Sequence, residues 1–212
     1  YPLTHPKIVT FTVGPNPFSP SGDRKKDNTT ITASFSTVVN WKLQVHSAAG
    51  VTIRTWAGTG KTITTIWDGR DTFRAVVPDG LYRIRLSGVD LSGCPFTTKS
   101  RSVTVDTSLP KVTGVHTTLS PFNATAGETT TICYTMSEDC RVTIRIVKFG
   151  IVYQTLLRSI IQSAGSHSVL WDGRDNIGNI VPSGTYAIKI WVEDKAGNRA
   201  TPYPITVTAT VL

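Results

Sequence analysis

The sequence predicts an all-β chain built as two tandem β-sandwiches of about seven strands each. Three observations carry that prediction. Trp67-Asp68-Gly69-Arg70-Asp71 returns letter for letter as Trp171-Asp172-Gly173-Arg174-Asp175, 104 residues on in a chain of 212. A period that long is a whole small domain rather than a solenoid unit of ~20–50 residues. The 33 Thr, with abundant Val and Ile, suit pleated, half-buried strands, while 17 Gly and 12 Pro supply turns. Apolar residues alternate with period two between turn signals about 8–12 residues apart. No long stretch has helical periodicity, and the best helical candidate, residues 156–161, is barely a turn and a half.

The first repeat, residues 1–108, opens at Pro6-Lys7-Ile8. Ile31, Ala33 and Phe35 form one inward set, and Trp41, Leu43 and Val45 a second. Gly50 turns the chain into strands over 51–56 and 61–67. After the corner, Tyr82, Ile84 and Leu86 share one face of a strand over 81–90, and Val103 and Val105 close the repeat. The second repeat, residues 109–212, keeps the order. Pro110-Lys111-Val112 opens it, Ile132, Tyr134 and Met136 form the first inward set, and Val142, Ile144 and Ile146 the second. Gly150 matches Gly50, Tyr186, Ile188, Ile190 and Val192 form the penultimate strand, and 204–211 the last. Pro17-Phe18 aligns with Pro121-Phe122. The length differences fall near 158–163 and 23–27, where loops are expected.

The corner reads as turn chemistry. Trp67 and Trp171 end a strand facing inward. The carboxylates of Asp68, Asp71, Asp172 and Asp175 can accept backbone N–H groups two residues on, and Gly69, Gly173 and Gly178 supply positive φ. Val77-Pro78-Asp79-Gly80-Leu81-Tyr82 echoes as Val181-Pro182-Ser183-Gly184-Thr185-Tyr186. Tyr82 and Tyr186 then sit where a tyrosine corner ties its hydroxyl to the backbone. Arg74 stands where the second repeat has Gly178; if that position needs positive φ, Arg74 is strained or the turn differs. Because each chain pass enters a sandwich at one pole and leaves at the other, the first corner belongs at the exit pole of its repeat.

Calcium is the competing reading, with Asp172, Asp175 and Asn176 as hard oxygen ligands. The set lacks a D-x-D-x-D-G pattern and has Arg174 in its middle. Asp23 and Asp27 are a second candidate, disfavoured by Arg24-Lys25-Lys26 between them. No cofactor is otherwise expected. The three cysteines form no C-x-x-C metal spacing. Cys94 should be unpaired, whereas a Cys133–Cys140 bridge is conceivable given a favourable bend.

The net charge of +8 is uneven: residues 1–109 hold 13 Lys/Arg against 7 Asp/Glu, and residues 110–212 hold 9 against 7. A basic surface attracts polyanions, anionic wall polymers among them. The dense run Arg24-Lys25-Lys26 has no interleaved aromatics, so no nucleic-acid partner is expected. No run approaches the ~20 apolar residues of a membrane span, so no membrane insertion is expected. The chain starts at Tyr1 without a Met or signal peptide and reads as a processed or excised segment. His5, His46, His116 and His167 stand in no H-E-x-x-H or G-x-S-x-G context, and the chain is not expected to be an enzyme. A carbohydrate platform would need exposed aromatics; Trp56, Tyr153, Trp191 and Tyr203 are the candidates.

Asn16-Pro17-Phe18-Ser19-Pro20, the two corners, the V-P-[DS]-G-x-Tyr strings and Asp194-Lys195-Ala196-Gly197-Asn198 resemble the FlgD-type immunoglobulin-like domain, twice over nearly the whole chain. The first repeat departs from it, with Asp90-Leu91-Ser92-Gly93-Cys94 in place of D-x-A-G-N. The resemblance implies immunoglobulin/fibronectin-III-like sandwiches in a bacterial extracellular or cell-surface setting, and no activity. The expectation is a structural spacer or accessory pair whose partners are other domains of the same parent protein. The alternatives are a module binding carbohydrate or anionic cell-wall polymer, and the C-terminal accessory region of a secreted hydrolase.

Overall fold

The computed structural model describes residues 5–212. The chain is all-β, with twelve strands in antiparallel sheets among the described residues. Its contacts divide it into two compact units, Tyr1–Ser108 and Leu109–Leu212.

The first unit holds β1 (Ile8–Gly14), β2 (Thr29–His46), β3 (Thr52–Trp67), β4 (Gly80–Asp90) and β5 (Lys99–Val105). Residues 30–35 of β2 pair with β1, and residues 29–34 pair with residues 62–67 of β3. Residues 39–46 pair with β4 and with residues 52–60 of β3, and β4 pairs with β5. β2 and β3 thus pass through both layers of one continuous sheet.

The second unit holds β6 (Val112–Thr117), β7 (Thr130–Met136), β8 (Cys140–Lys148), β9 (Ile151–Gln162), β10 (Gly165–Trp171), β11 (Gly184–Asp194) and β12 (Ile205–Val211). Here the layers are separate sheets, ordered β6-β7-β10 and β9-β8-β11-β12.

The pairing order is the same in both units, but the first has five strands where about seven were expected. The difference lies at two joints. Ser137, Glu138 and Asp139 separate β7 from β8, and a turn before Gly165 (φ +115°) separates β9 from β10. In the first unit the joints read Ser36-Thr37-Val38 and Gly60-Lys61, which the ladder absorbs as a register shift. Ser36 and Ser137 play one part at this joint. Each hydroxyl accepts the N–H of the residue just before its unit's first strand, Lys7 at 3.0 Å and Lys111 at 2.9 Å. Residues 156–161 are not helical but lie in β9, which absorbs its extra length as bulges near Ser159 (φ +57°).

Alternation builds both cores. In β7 and β11 every second residue is buried, because successive side chains point to opposite faces. Trp67 and Trp171 are fully buried at equivalent places. Phe18 and Tyr82 pack edge-on against Trp67 with centroids 5.4 and 5.2 Å away. Phe122 and Tyr186 do the same to Trp171 at 5.4 and 5.5 Å. Trp41 departs from its inward-facing expectation: it is only partly buried, packed against the margin of the first core.

All three cysteines are free. Cys133 points off the outer face of β7, between Ser168 and His116, while Cys140 points into the core of its unit. Opposite faces exclude the Cys133–Cys140 bridge. No helix is long and apolar enough to cross a membrane among the described residues.

Candidate functional site

The two Trp-Asp-Gly-Arg-Asp corners are nearly superimposable networks of local hydrogen bonds. Trp67 Nε1 donates to Arg70 O at 2.9 Å, and Trp171 Nε1 to Arg174 O at 3.1 Å. Asp68 accepts Arg70 N at 3.2 Å and Asp172 accepts Arg174 N at 3.1 Å. The arginine then reaches forward: Arg70 to Arg74 O at 2.9 Å, Arg174 to Gly178 O at 2.7 Å. Gly69 (φ +68°) and Gly173 (φ +74°) carry the left-handed bend, and both are buried under the ring of Phe18 or Phe122.

Asp71 and Asp175 close the next turn. Asp71 Oδ1 accepts the N–H groups of Phe73 at 2.8 Å and Ala75 at 2.9 Å. Asp175 Oδ1 accepts those of Ile177 at 3.0 Å and Asn179 at 2.9 Å. The backbone N–H of each Asp donates to the carbonyl four residues on, and its carbonyl accepts the N–H three residues on. That is a type I turn with a left-handed bulge residue, a three-residue hairpin connection. The bulge residue is Gly178 (φ +91°) in one corner and Arg74 (φ +68°) in the other.

The same turn recurs outside the corners. Asp90 accepts Ser92 and Cys94 N–H, both at 2.9 Å, around Gly93. Asp194 accepts Gly197 N–H at 2.7 Å and Asn198 N–H at 2.9 Å. The signal that unites all four is Asp with Gly three residues on, masked in the first corner because Arg74 replaces the glycine.

Tyr82 donates from its hydroxyl to Pro78 O at 2.8 Å, and Tyr186 to Pro182 O at 2.6 Å. Burial pushes both phenols up, with help from Asp79 at Tyr82 and Tyr153 at Tyr186. Both corners close at the end of the unit where the last strand finishes, since Gly80 pairs with Val105 and Gly184 with Val211.

The calcium candidates spend their oxygens within this network. Asp172 Oδ1 and Asp175 Oδ1 accept backbone N–H groups, Asn176 Oδ1 accepts Thr155 N at 3.0 Å, and Asp172 Oδ2 faces Arg174 Nε at 3.6 Å. Asp27 accepts Gly22 and Arg24 N–H, both at 2.7 Å, and Asp23 accepts Lys25 N at 2.8 Å.

Among the described residues, none of the histidine hydrogen bonds reaches a carboxylate. His46 Nδ1 contacts Gly50 O at 3.4 Å and the Thr52 hydroxyl at 3.3 Å. His116 contacts Gly114 O, and His167 contacts Ser163 O while stacking on Tyr134. Cys140 is buried, and desolvation, followed by Glu138, Asp194 and Asp139, pushes its thiol up to about 12. A thiol so shifted is no nucleophile at neutral pH.

Three of the four carbohydrate-platform candidates are covered by guanidiniums. Arg54 lies 5.5 Å from the Trp56 ring, Arg145 5.3 Å from Trp191, and Arg199 4.7 Å from Tyr203. Tyr153 packs edge-on against Tyr186. The barest aromatics among the described residues are Phe73 and Phe149, at turn tips the sequence had not singled out.

No protein-family model matches the chain, and no curated protein matches it. Among solved structures it is similar to the fibronectin(III)-like modules of Clostridium thermocellum CbhA, at 16% identity and TM-score 0.48, over 97% of this chain and 93% of that one. It is similar to dimeric latent PorU from Porphyromonas gingivalis at 15% identity and TM-score 0.37, over 99% of this chain and 20% of that one. It is similar to the BSP domain of a biofilm associated protein at 12% identity and TM-score 0.32, over 96% of this chain and 29% of that one.

Proposed function

We propose that the chain is a non-catalytic pair of immunoglobulin-like modules, a structural spacer or accessory segment of a bacterial extracellular or cell-surface protein. One observation carries this reading: the corner carboxylates, the residues best suited to acid–base or metal chemistry, are used to close their own turns. A carboxylate oxygen occupied by two backbone N–H donors is committed to fixing its own turn. The two-module reading draws on the exact repeat of the corner and the division after Ser108. The bacterial, extracellular setting draws on the FlgD-type resemblance of the motifs. The partners proposed are neighbouring domains of the same parent protein, with neither nucleic acid nor a membrane interior among them.

Stretching single molecules tests the module reading. Two independent unfolding steps are expected, each releasing about 100 residues, or ~35 nm of chain at ~3.5 Å per residue. A single step of double length overturns the two-module reading. Turnover of any substrate in a panel of esters, peptides and glycosides, lost on Asp71→Asn or Asp175→Asn, overturns the non-catalytic one.

A further inference from the structure

The outer face of the β2-β4-β5 layer in the first unit carries a groove of about 590 Å³, lined by His46, Ser47, Leu81, Arg83, Arg85, Ser100 and Ser102 among others. Its polar lining follows from strand register. Arg83 pairs with His46 and Ser102, and Arg85 pairs with Ser100, so arginine, histidine and serine side chains rise from the same face. Both arginines are exposed, and neither takes part in an ion pair or a side-chain hydrogen bond among the described residues. The carboxylates bounding β4 are spent elsewhere, Asp79 on Thr107 and Ser108, Asp90 on its own turn.

The second unit lacks this arrangement. Val147 pairs with Ala187 where His46 pairs with Arg83, so the histidine and one of the two arginines have no counterpart there. Lys148, the next residue, turns to the opposite face, where its ammonium lies 4.7 Å from the buried Tyr186 ring and donates to Ser183 O at 3.0 Å.

We propose that this groove binds an acidic polysaccharide, a linear chain of sugars bearing anionic groups. Charge complementarity selects the anion. Arg83 and Arg85 are two residues apart on one strand, so their stems are spaced by about 6.6–6.8 Å, a repeat suited to successive anionic substituents. The flanking serine hydroxyls can bond sugar hydroxyls. Nothing in the groove offers a stack of exposed aromatics, which single-stranded nucleic acid would call for. The site stands whether or not the chain serves as a spacer, because its arginines belong to neither Trp-Asp-Gly-Arg-Asp string and rise from the outer face of β4.

Calorimetry on the whole chain at several salt concentrations tests it, with polygalacturonate as the carboxylate probe, dextran sulfate as the sulfate probe, and neutral dextran and single-stranded DNA as comparisons. Binding to at least one acidic glycan is expected, with none to neutral dextran. R83S/R85S should weaken it at least tenfold and reduce the salt slope by about 1–2, one contact apiece at ~0.7–0.9. K61S/R158S removes the same charge from exposed positions elsewhere and should change affinity less than threefold. Arg83→Ala, which installs the second unit's residue, should weaken binding at least threefold. Equal losses in the two double variants, unchanged affinity after Arg83→Ala, or tighter binding to the DNA than to either acidic glycan would each overturn the proposal.

Discussion

The two units solve one folding problem with different local chemistry, and the second solves it with less conflict. Its bulge residue is Gly178 where the first unit has Arg74 at φ +68°. Its Asp194 is buried, and Asn198 Nδ2 adds a third hydrogen bond at 2.8 Å, where Asp90 is half-buried and faces Cys94. The first unit has something the second lacks: Asp79 holds the chain beyond β5 through Thr107 and Ser108, where the second unit has Ser183. The shared pairing order with unequal turns teaches that the fold rests on the buried alternation and the Trp-centred stack, while the turns tune stability.

The largest test falls on that shared element. A Cβ on Gly173 would lie 2.5 Å from Ala124 Cβ, at φ +74°; on Gly69 it would lie 2.8 Å from Pro20 Cγ, at φ +68°. Overpacking and left-handed strain together cost about 2–4 kcal/mol. Gly173→Ala and Gly69→Ala should each destabilise their own unit by that amount in urea unfolding, with Gly173→Ala the worse. Loss under 1 kcal/mol in both would show that the corner is not the rigid joint described.

Asp194 and Asp90 separate the units next. Asp194→Ala strands buried N–H groups of Gly197 and Asn198 and should cost about 2–3 kcal/mol. Asp90→Ala exposes its freed N–H groups more to water and should cost about 1 kcal/mol. Equal losses would mean that burial and the Asn198 bond add nothing.

Much of this was legible in the residues. The inward sets from Ile31 to Phe35 and from Tyr186 to Val192 are buried because a period-two pattern leaves one choice of face. The strand count was not legible, because whether a joint breaks a strand depends on local turn residues: Ser137-Glu138-Asp139 breaks it and Ser36-Thr37-Val38 does not. The groove was less visible still. It depends on which residues pair across strands, with Arg83 and His46 standing where the second unit has Ala187 and Val147, a difference apparent only once the two units are compared in register.

Arg74 offers a gain rather than a loss. A non-glycine residue in the left-handed region costs about 1 kcal/mol, partly offset by the freedom glycine adds to the unfolded chain. Arg74→Gly should stabilise the first unit by ~0.5–1 kcal/mol, and Gly178→Arg should destabilise the second by about the same. The Arg70–Arg74 O hydrogen bond uses the backbone carbonyl and survives the exchange. A loss of stability in Arg74→Gly would mean that the exposed side chain makes a contribution larger than its backbone strain.

Asp79 should give the smallest effect, and one that depends on pH. Burial pushes its carboxyl up, but the hydrogen bonds from Thr107 and Ser108 together outweigh that and hold it below the usual carboxylate value. A group with a lowered folded-state pKa stabilises the fold above its unfolded value, and the benefit fades as pH falls through the folded one. The first unit should therefore lose this stabilisation on acidification below about pH 4. The carboxylate is exposed, so solvent competes for its bonds and the gain is small. Asp79→Asn should lower the first unit's melting temperature by about 1–2 °C at pH 7 and by progressively less as the pH falls below about 4. The second unit, with Ser183 at this place, should show no difference across this range. A deficit that persists undiminished at pH 3 would locate the role of Asp79 in its shape rather than its charge, and the comparison between the two units would then rest on Arg74 and Asp194 alone.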